Sequence, residues 1–440
     1  MAAASDRARF YLEQYVPELQ ESEQKGIFTR DEISAITKKR SDFEHTLNAR
    51  GSTTADYARY ATYEMNLDSL RKKRCKRLGV KSTTFSGQRT IFFILDRATK
   101  KFPSDMGLWM QYINYCKKEK ANKKLSKVFT AVLRLHPRDW SLWVLAAKYY
   151  AEAQGDMSTA RSFLQRGLRF CKDEKKLYLE YAKLEMVYLA KLSARRKILG
   201  LDGSREEKQE DDENMIALPT ITAEDIDPDA GKGIEEVDEN ALKRLETAPA
   251  FSGAIPIAIF DAAMKQFHQN APEVAEAFFD LISSFDNVPS TTTILQHILD
   301  FLHSAWPSSP EVVVCDAKLQ FFAIDSQSPE FPAALSKALA SVKTGLDKAS
   351  KKDRLRLAER AIFLLLPYLD TASEGSAAVD EDIVKVLEAS VKRYLRIAAE
   401  AKPKPGRKVG PAAMIEQALK NGDEMQASLL VGFASDLGLR

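Results

Sequence analysis

The chain has 440 residues, of which 45% are hydrophobic and 29% charged, with 19 glycines and 17 prolines. It therefore has material for a core under a heavily charged surface, and too few turn formers for an all-β chain. The net charge of +3 hides an uneven distribution: residues 201–246 carry sixteen Asp or Glu against five Lys or Arg, a local −11, so the remainder carries +14.

The four cysteines (Cys75, Cys116, Cys171, Cys315) are far apart and form no CxxC pair, which fits neither a zinc ribbon nor a disulfide framework and points to a reducing compartment. The opening residues lack the apolar run of a signal peptide, and no stretch reaches the ~18 uninterrupted apolar residues of a membrane span. A cytosolic or nuclear protein without membrane contact is expected.

In chain order, residues 1–50 predict two or three helices, one running from Thr29 through Leu47 with Asp31 near its start. Tyr11, Leu12, Tyr15, Val16 and Phe28 crowd this segment, which reads equally as a protein-docking element or as a cap on the helices after it. Tyr57, Tyr60 and Glu64 mark the first helix of a helical pair, whose second helix is RTIFFILDRATKKFP (89–103). The connection carries RKKRCKR (71–77). Six basic residues in seven (Arg71, Lys72, Lys73, Arg74, Lys76, Arg77) point in every direction around a helix, so the segment is expected to be unpacked on all sides. It then meets solvent, RNA phosphate or an acidic protein surface, including this chain's own 206–213.

From about 85 to 190 the sequence repeats itself. Trp109, Trp143 and Tyr178 are spaced 34 and 35 residues apart, and a second packing residue follows each by three: Tyr112, Ala146 and Tyr181. Pro103 and Pro137 stand six residues before their Trp, where a turn ends one helix and launches the next. Trp109, Tyr112, Ile113 and Cys116 fall at i, i+3, i+4 and i+7; Leu125, Val128, Phe129, Val132 and Leu133 form the next stripe. These are helical periods, so the unit is a helical hairpin. Hairpins cannot bury both apolar faces alone, but stacking them makes a continuous core. The recurring aromatic slot marks those six residues as packing groups, not base-stacking ones.

The pattern stops after Leu199. Residues 200–250 predict a flexible or partner-ordered acidic insert, with 236–246 a helical candidate. IPIAIFDAAMKQF (255–267) repeats the second-helix pattern, and helices follow around 271–285, 291–305, 310–323, 332–347, 352–369 and 379–400. In these degenerate repeats Val314 and Ala317 stand where Trp143 and Ala146 stand earlier. A Pro/Lys segment (401–411) leads to one last helix, 412–437. The expected domains are thus 1–50, a repeat array at 51–199, the insert at 200–250, degenerate repeats at 251–400, and a basic linker with a C-terminal helix at 401–440.

WMQYINYCKKEK, WVLAAKYYAEAQ and YLEYAKLEM, with second helices ending in LDRA or LQRGL runs, resemble the half-a-tetratricopeptide (HAT) repeat of RNA-processing assemblies. YLEQYVPELQESEQKGIFTRDEISAITKKRSDFEHTL (11–47) and YEMNLDSLRKKRCKRLGV (63–80) resemble the U-three snoRNA-associated protein six family, the HAT-repeat subunits of the UtpB module of the small-subunit processome. The resemblance is most specific over 1–190. It implies an all-α fold, an α-solenoid of HAT helical-hairpin repeats with an N-terminal helical extension. It also implies a non-catalytic scaffold for pre-rRNA processing, located in the nucleolus within the nucleus. The implied setting is a hetero-oligomeric complex with β-propeller (WD40) subunits, on a pre-rRNA/snoRNP particle whose RNA the chain contacts directly or not. The alternative is an RNA-binding helical-repeat module of another RNA-processing complex.

No enzyme constellation emerges. His297 and His303 are six apart and cannot copy the i, i+4 pairing of a zinc helix, and His45, His136 and His268 have no partner motif. GVKSTT (79–84) lacks the upstream glycine and the lysine placement of a phosphate loop. No catalytic residue, metal or cofactor is expected.

Overall fold

A computed structural model describes residues 2–49, 51–80, 86–198, 253–268, 270–307, 309–325, 327–373, 381–400 and 410–438. Regular structure among them is entirely helical, and no described helix is long and apolar enough to cross a membrane. The chain forms two compact units, Met1–Ala146 and Ala147–Arg440. The boundary falls inside the region read from sequence as a repeat array.

The first unit holds α1 (Ala2–Glu13), α2 (Val16–Gln24), α3 (Arg30–Asn48), α4 (Thr54–Leu78), α5 (Ser86–Lys101), α6 (Met106–Lys118) and α7 (Asn122–Leu135), and ends within α8 (Trp140–Tyr149). Local chemistry sets these ends. Thr29 and Glu32 form a reciprocal capping box at the start of α3, satisfying two amides that the first turn leaves open. Gly79, at φ 66°, closes α4 in the left-handed conformation that glycine adopts without steric cost. α4 packs on α5, α6 on α7, and α4 on α6, so two hairpins stack with like helices adjoining. Tyr60, Ile91, Ile94, Leu95, Tyr112, Ile113 and Phe129 are at most 1% exposed and form the layer between them.

The proline–tryptophan spacing has a direct structural cause. Trp109 donates its indole Nε1–H to the carbonyl of Pro103, and Trp143 donates to that of Pro137, each at 2.9 Å. A buried indole needs an acceptor, and the turn carbonyl six residues back supplies it. His136 Nε2 lies 2.8 Å from the same Pro103 oxygen, tying one inter-helix turn to the next.

The second unit continues α8 through a π-helical turn (Tyr150–Gln154), then α9 (Met157–Phe170), α10 (Lys175–Ile198), α11 (Ala254–Gln266), α12 (Ala271–Ser283), α13 (Thr291–Ala305), α14 (Pro310–Phe321), α15 (Phe331–Lys348), α16 (Lys351–Ser373), α17 (Glu381–Ala399), α18 (Pro411–Asn421) and α19 (Glu424–Asp436). The pairs α10/α11, α12/α13, α14/α15 and α16/α17 are hairpins, and their first helices adjoin in series: α10 on α12, α12 on α14, α14 on α16. Val314 and Ala317 are both buried, on the first helix α14.

The helices that flank residues 200–250 pair directly: α10 packs on α11, Tyr178 meets Phe267 edge to face at 5.5 Å, and Gln266 bonds Asp173. One expectation changes here. The C-terminal helix expected over 412–437 is two helices, because Gly422 takes φ 85° and Asp423 restarts the chain into α19. Apolar periodicity alone ran through that break.

Candidate functional site

The basic segment 71–77 occupies the last two turns of α4, and it is packed on one side, contrary to expectation. Arg71 is 5% exposed and holds Asp68 at 2.7 Å. Lys72 bridges Asp68 and Glu119, each at 2.9 Å. Arg74 grips both carboxylate oxygens of Glu32 at 2.7 Å, reaches the Ile27 carbonyl, and lies over the Phe28 ring. That bidentate bond, with the Thr29 amide, holds the Glu32 carboxyl down at about 2. Counting charges around a helix missed this because Glu32 and Glu119 are distant in sequence; only Asp68 is local. Lys73, Lys76 and Arg77 remain exposed.

The N-terminal residues marked for docking are divided in the same way. Tyr15 and Phe28 are core residues, 7% and 6% exposed. Burial, reinforced by Glu44 and Glu64, pushes the Tyr15 hydroxyl up to about 12. Tyr15 also lies beneath the Arg40 guanidinium, and Tyr11 packs on Phe93 and beneath Arg97. Leu12 is half-buried, and Val16 is exposed. Tyr15 and Phe28 are therefore largely interior residues of the first unit.

Buried charge ties these helices to the first hairpin. Arg40 on α3 makes two 2.8 Å bonds to Glu64 on α4, with side chains 3% and 2% exposed. Glu44 receives Arg97 from α5 at 3.0 Å on both oxygens; burial raises its pKa, and Arg97 opposes the shift. The repeat-packing residues Trp109, Tyr112, Trp143, Ala146, Tyr178 and Tyr181 are all at most 5% exposed.

A surface open to a partner lies in the second unit, where the π-helical turn faces α10. A groove of about 630 Å³ is floored by Leu184, Val187, Tyr188 and Leu192. Lys183, Lys191 and Arg195 rim it, and Lys148 is paired with Glu180 at 2.8 Å. The π-turn widens the helix by one residue before Gly155 ends it in the left-handed conformation. Asp156 then caps α9, its carboxyl held at about 2 by the hydroxyl and amide of Thr159. An apolar floor with charged rims suits a peptide or helix from another protein. The sequence signal was present but unused. Tyr178, Tyr181 and Ala182 mark one face of α10, while Leu184, Val187, Tyr188 and Leu192 mark a second.

The histidines have ordinary structural partners: His297 meets Asp261 at 2.9 Å and His303 meets Asp316 at 3.0 Å. Among the described residues no group of three or more His, Cys, Asp or Glu side chains is placed to hold a metal ion. The insert at 200–250 with its 236–246 helix candidate, KPKPGRK (402–408), and residues 81–84 of GVKSTT lie outside the described residues.

Residues 12–93 match the family model of U3 small nucleolar RNA-associated protein 6. The chain is 37% identical over 221 residues to the Schizosaccharomyces pombe protein of that name, a match covering 49% of this chain and 45% of the relative. It is 36% identical over 185 residues to the Homo sapiens homolog, covering 41% and 31%, and 27% identical over 332 residues to the Dictyostelium discoideum homolog, covering 72% and 53%. The matches thus span about half, or less, of the relatives' own length.

Proposed function

With membership of the U3 small nucleolar RNA-associated protein 6 family supported by the family model and these relatives, we propose that the chain is a non-catalytic scaffold in the RNA–protein particle that processes the small-subunit rRNA precursor. The reading extends to HAT-type repeats, nucleolar location, and membership of the UtpB module beside β-propeller subunits. The observation that carries it is the open apolar groove on α10, set on stacked hairpins whose aromatic residues face inward. A rigid stack presents such a groove without an ordering cost of its own, so binding energy is not lost to folding the receptor.

The test is crosslinking of the native particle, mapped to residues, with attention to Lys183 and Lys191. Crosslinks from these lysines to protein subunits of the particle are expected. Crosslinks confined to proteins unconnected with rRNA processing would overturn the reading.

A second reading, direct RNA binding, is favoured by the exposed Lys73, Lys76 and Arg77. Phosphate contact by three cations should give a log–log salt slope of roughly −2 to −3, flattened when all three are neutralised. Absence of RNA binding by the full chain at low salt removes that reading.

A further inference from the structure

The first unit carries a second groove, between α3 and α4. The two helices run antiparallel, since Arg40 pairs with Glu64 toward one end and Glu32 with Arg74 toward the other. Between those pairs lies an opening of about 390 Å³, floored by Ile36 and Leu67 and walled by Tyr63, Leu70 and Lys39. Its apolar surface is open: Leu70 is 42% exposed, and Leu78, further along the same face of α4, is 47% exposed. Tyr63, Leu67 and Leu70 fall at i, i+4 and i+7, and Arg77 at i+14, the spacing of a helix seam.

Apart from Glu32, the charge along this seam is basic. Lys39 lines the groove, and Lys73 and Arg77 extend it along α4. The acid in the lining, Glu32, is already doubly bonded by Arg74 at 2.7 Å. The whole groove lies inside residues 12–93, the stretch that matches the family model.

We propose that the α3/α4 groove receives an amphipathic helix of a partner protein, apolar along one face and acidic along its flanks. A third helix laid between two antiparallel helices packs ridges into the groove they leave and covers Leu70 and Leu78 together. Tyr63 to Leu78 spans ~22 Å of helix, so the occupant has about four turns. Its carboxylates meet Lys39, Lys73 and Arg77, which fixes orientation and rejects basic helices. This rests on the scaffold reading and adds to it the chemistry of one partner.

The experiment uses the full chain and two labelled helical peptides of about eighteen residues. Both carry the same leucine seam, one with glutamate flanks and one with lysine flanks, and fluorescence anisotropy is the readout. The glutamate-flanked peptide should bind at least ~10-fold more tightly. Leu70→Asp should abolish that binding with little change in melting, because the side chain is already 42% exposed. The combined variant Lys39→Glu, Lys73→Glu and Arg77→Glu should reverse the preference, a result that misfolding cannot mimic. Equal binding of both peptides, or retained binding by Leu70→Asp, overturns the proposal. So does sedimentation showing that Leu70→Asp dissolves a self-associated form, which would assign the groove to a second copy. If native-particle crosslinks to protein subunits persist while the peptides are not distinguished, the groove assignment fails alone and the scaffold reading stands.

Discussion

Substituting Glu64 with Met strands the Arg40 guanidinium in the interior of the first unit. The pair is 3% and 2% exposed and joined by two 2.8 Å bonds, so solvent does not replace the lost partner. Removing one member of such a buried pair costs ~3–5 kcal/mol, much of it the desolvation of the charge left behind. For a unit of 146 residues, at roughly 2–4 °C per kcal/mol, melting should fall by about 6–20 °C. Tryptophan fluorescence isolates the effect, because Trp109, Trp140 and Trp143 belong to the first unit and only Trp306 to the second. The double variant Arg40→Met with Glu64→Met should recover most of the loss, since an apolar pair of similar volume is often neutral or better. A Glu64→Met variant melting within about 2 °C of the parent would refute this account. So would a double variant as damaged as the single, which would point to lost packing instead of a stranded charge.

Three further outcomes follow from the geometry. Trp143→Ala should lose ~3–5 kcal/mol of stability by removing a buried aromatic, while Trp143→Phe should lose only ~1 kcal/mol, that of the indole bond to the Pro137 carbonyl; chemical denaturation separates the two. The Arg74–Glu32 bridge depresses the Glu32 carboxyl from 4.5 to about 2, so the unfolded chain takes up this proton first. The bridge's stabilisation is then full above about pH 4.5 and is lost as pH falls through about 2. Melting of the parent against Arg74→Gln should accordingly differ at pH 6 and converge near pH 2. Finally, Gly422→Ala should destabilise the α18/α19 hairpin by ~1 kcal/mol, because φ 85° strains any residue with a Cβ; amide exchange in α18 and α19 reads the loss locally.

Periodicity and spacing carried the repeat stack, because an apolar stripe at helical intervals is a local property of the chain. The Trp109 and Trp143 slots, the hairpin of α4 with α5, and the burial of Tyr60 and Tyr112 all follow from residues within about one repeat of each other. The same locality explains what was missed. Arg71, Lys72 and Arg74 read as an exposed basic run, since their acids, Asp68 excepted, arrive from α3 and from the end of α6. Tyr15 and Phe28 read as exposed anchors because the guanidinium groups that cover them stand on other helices, Arg40 on α3 and Arg74 on α4. The pairing of α10 with α11 was not legible either, because no local pattern reports that two segments more than fifty residues apart in the chain are neighbours in space.

The sequence by itself thus determined the helical class, the repeat length and the residues that pack it, all consequences of short-range geometry. Which charges are neutralised within the chain, and which apolar faces stay open on α4 and α10, was decided only by tertiary structure. Charge neutralisation and groove formation both depend on groups that folding brings together from distant points along the chain.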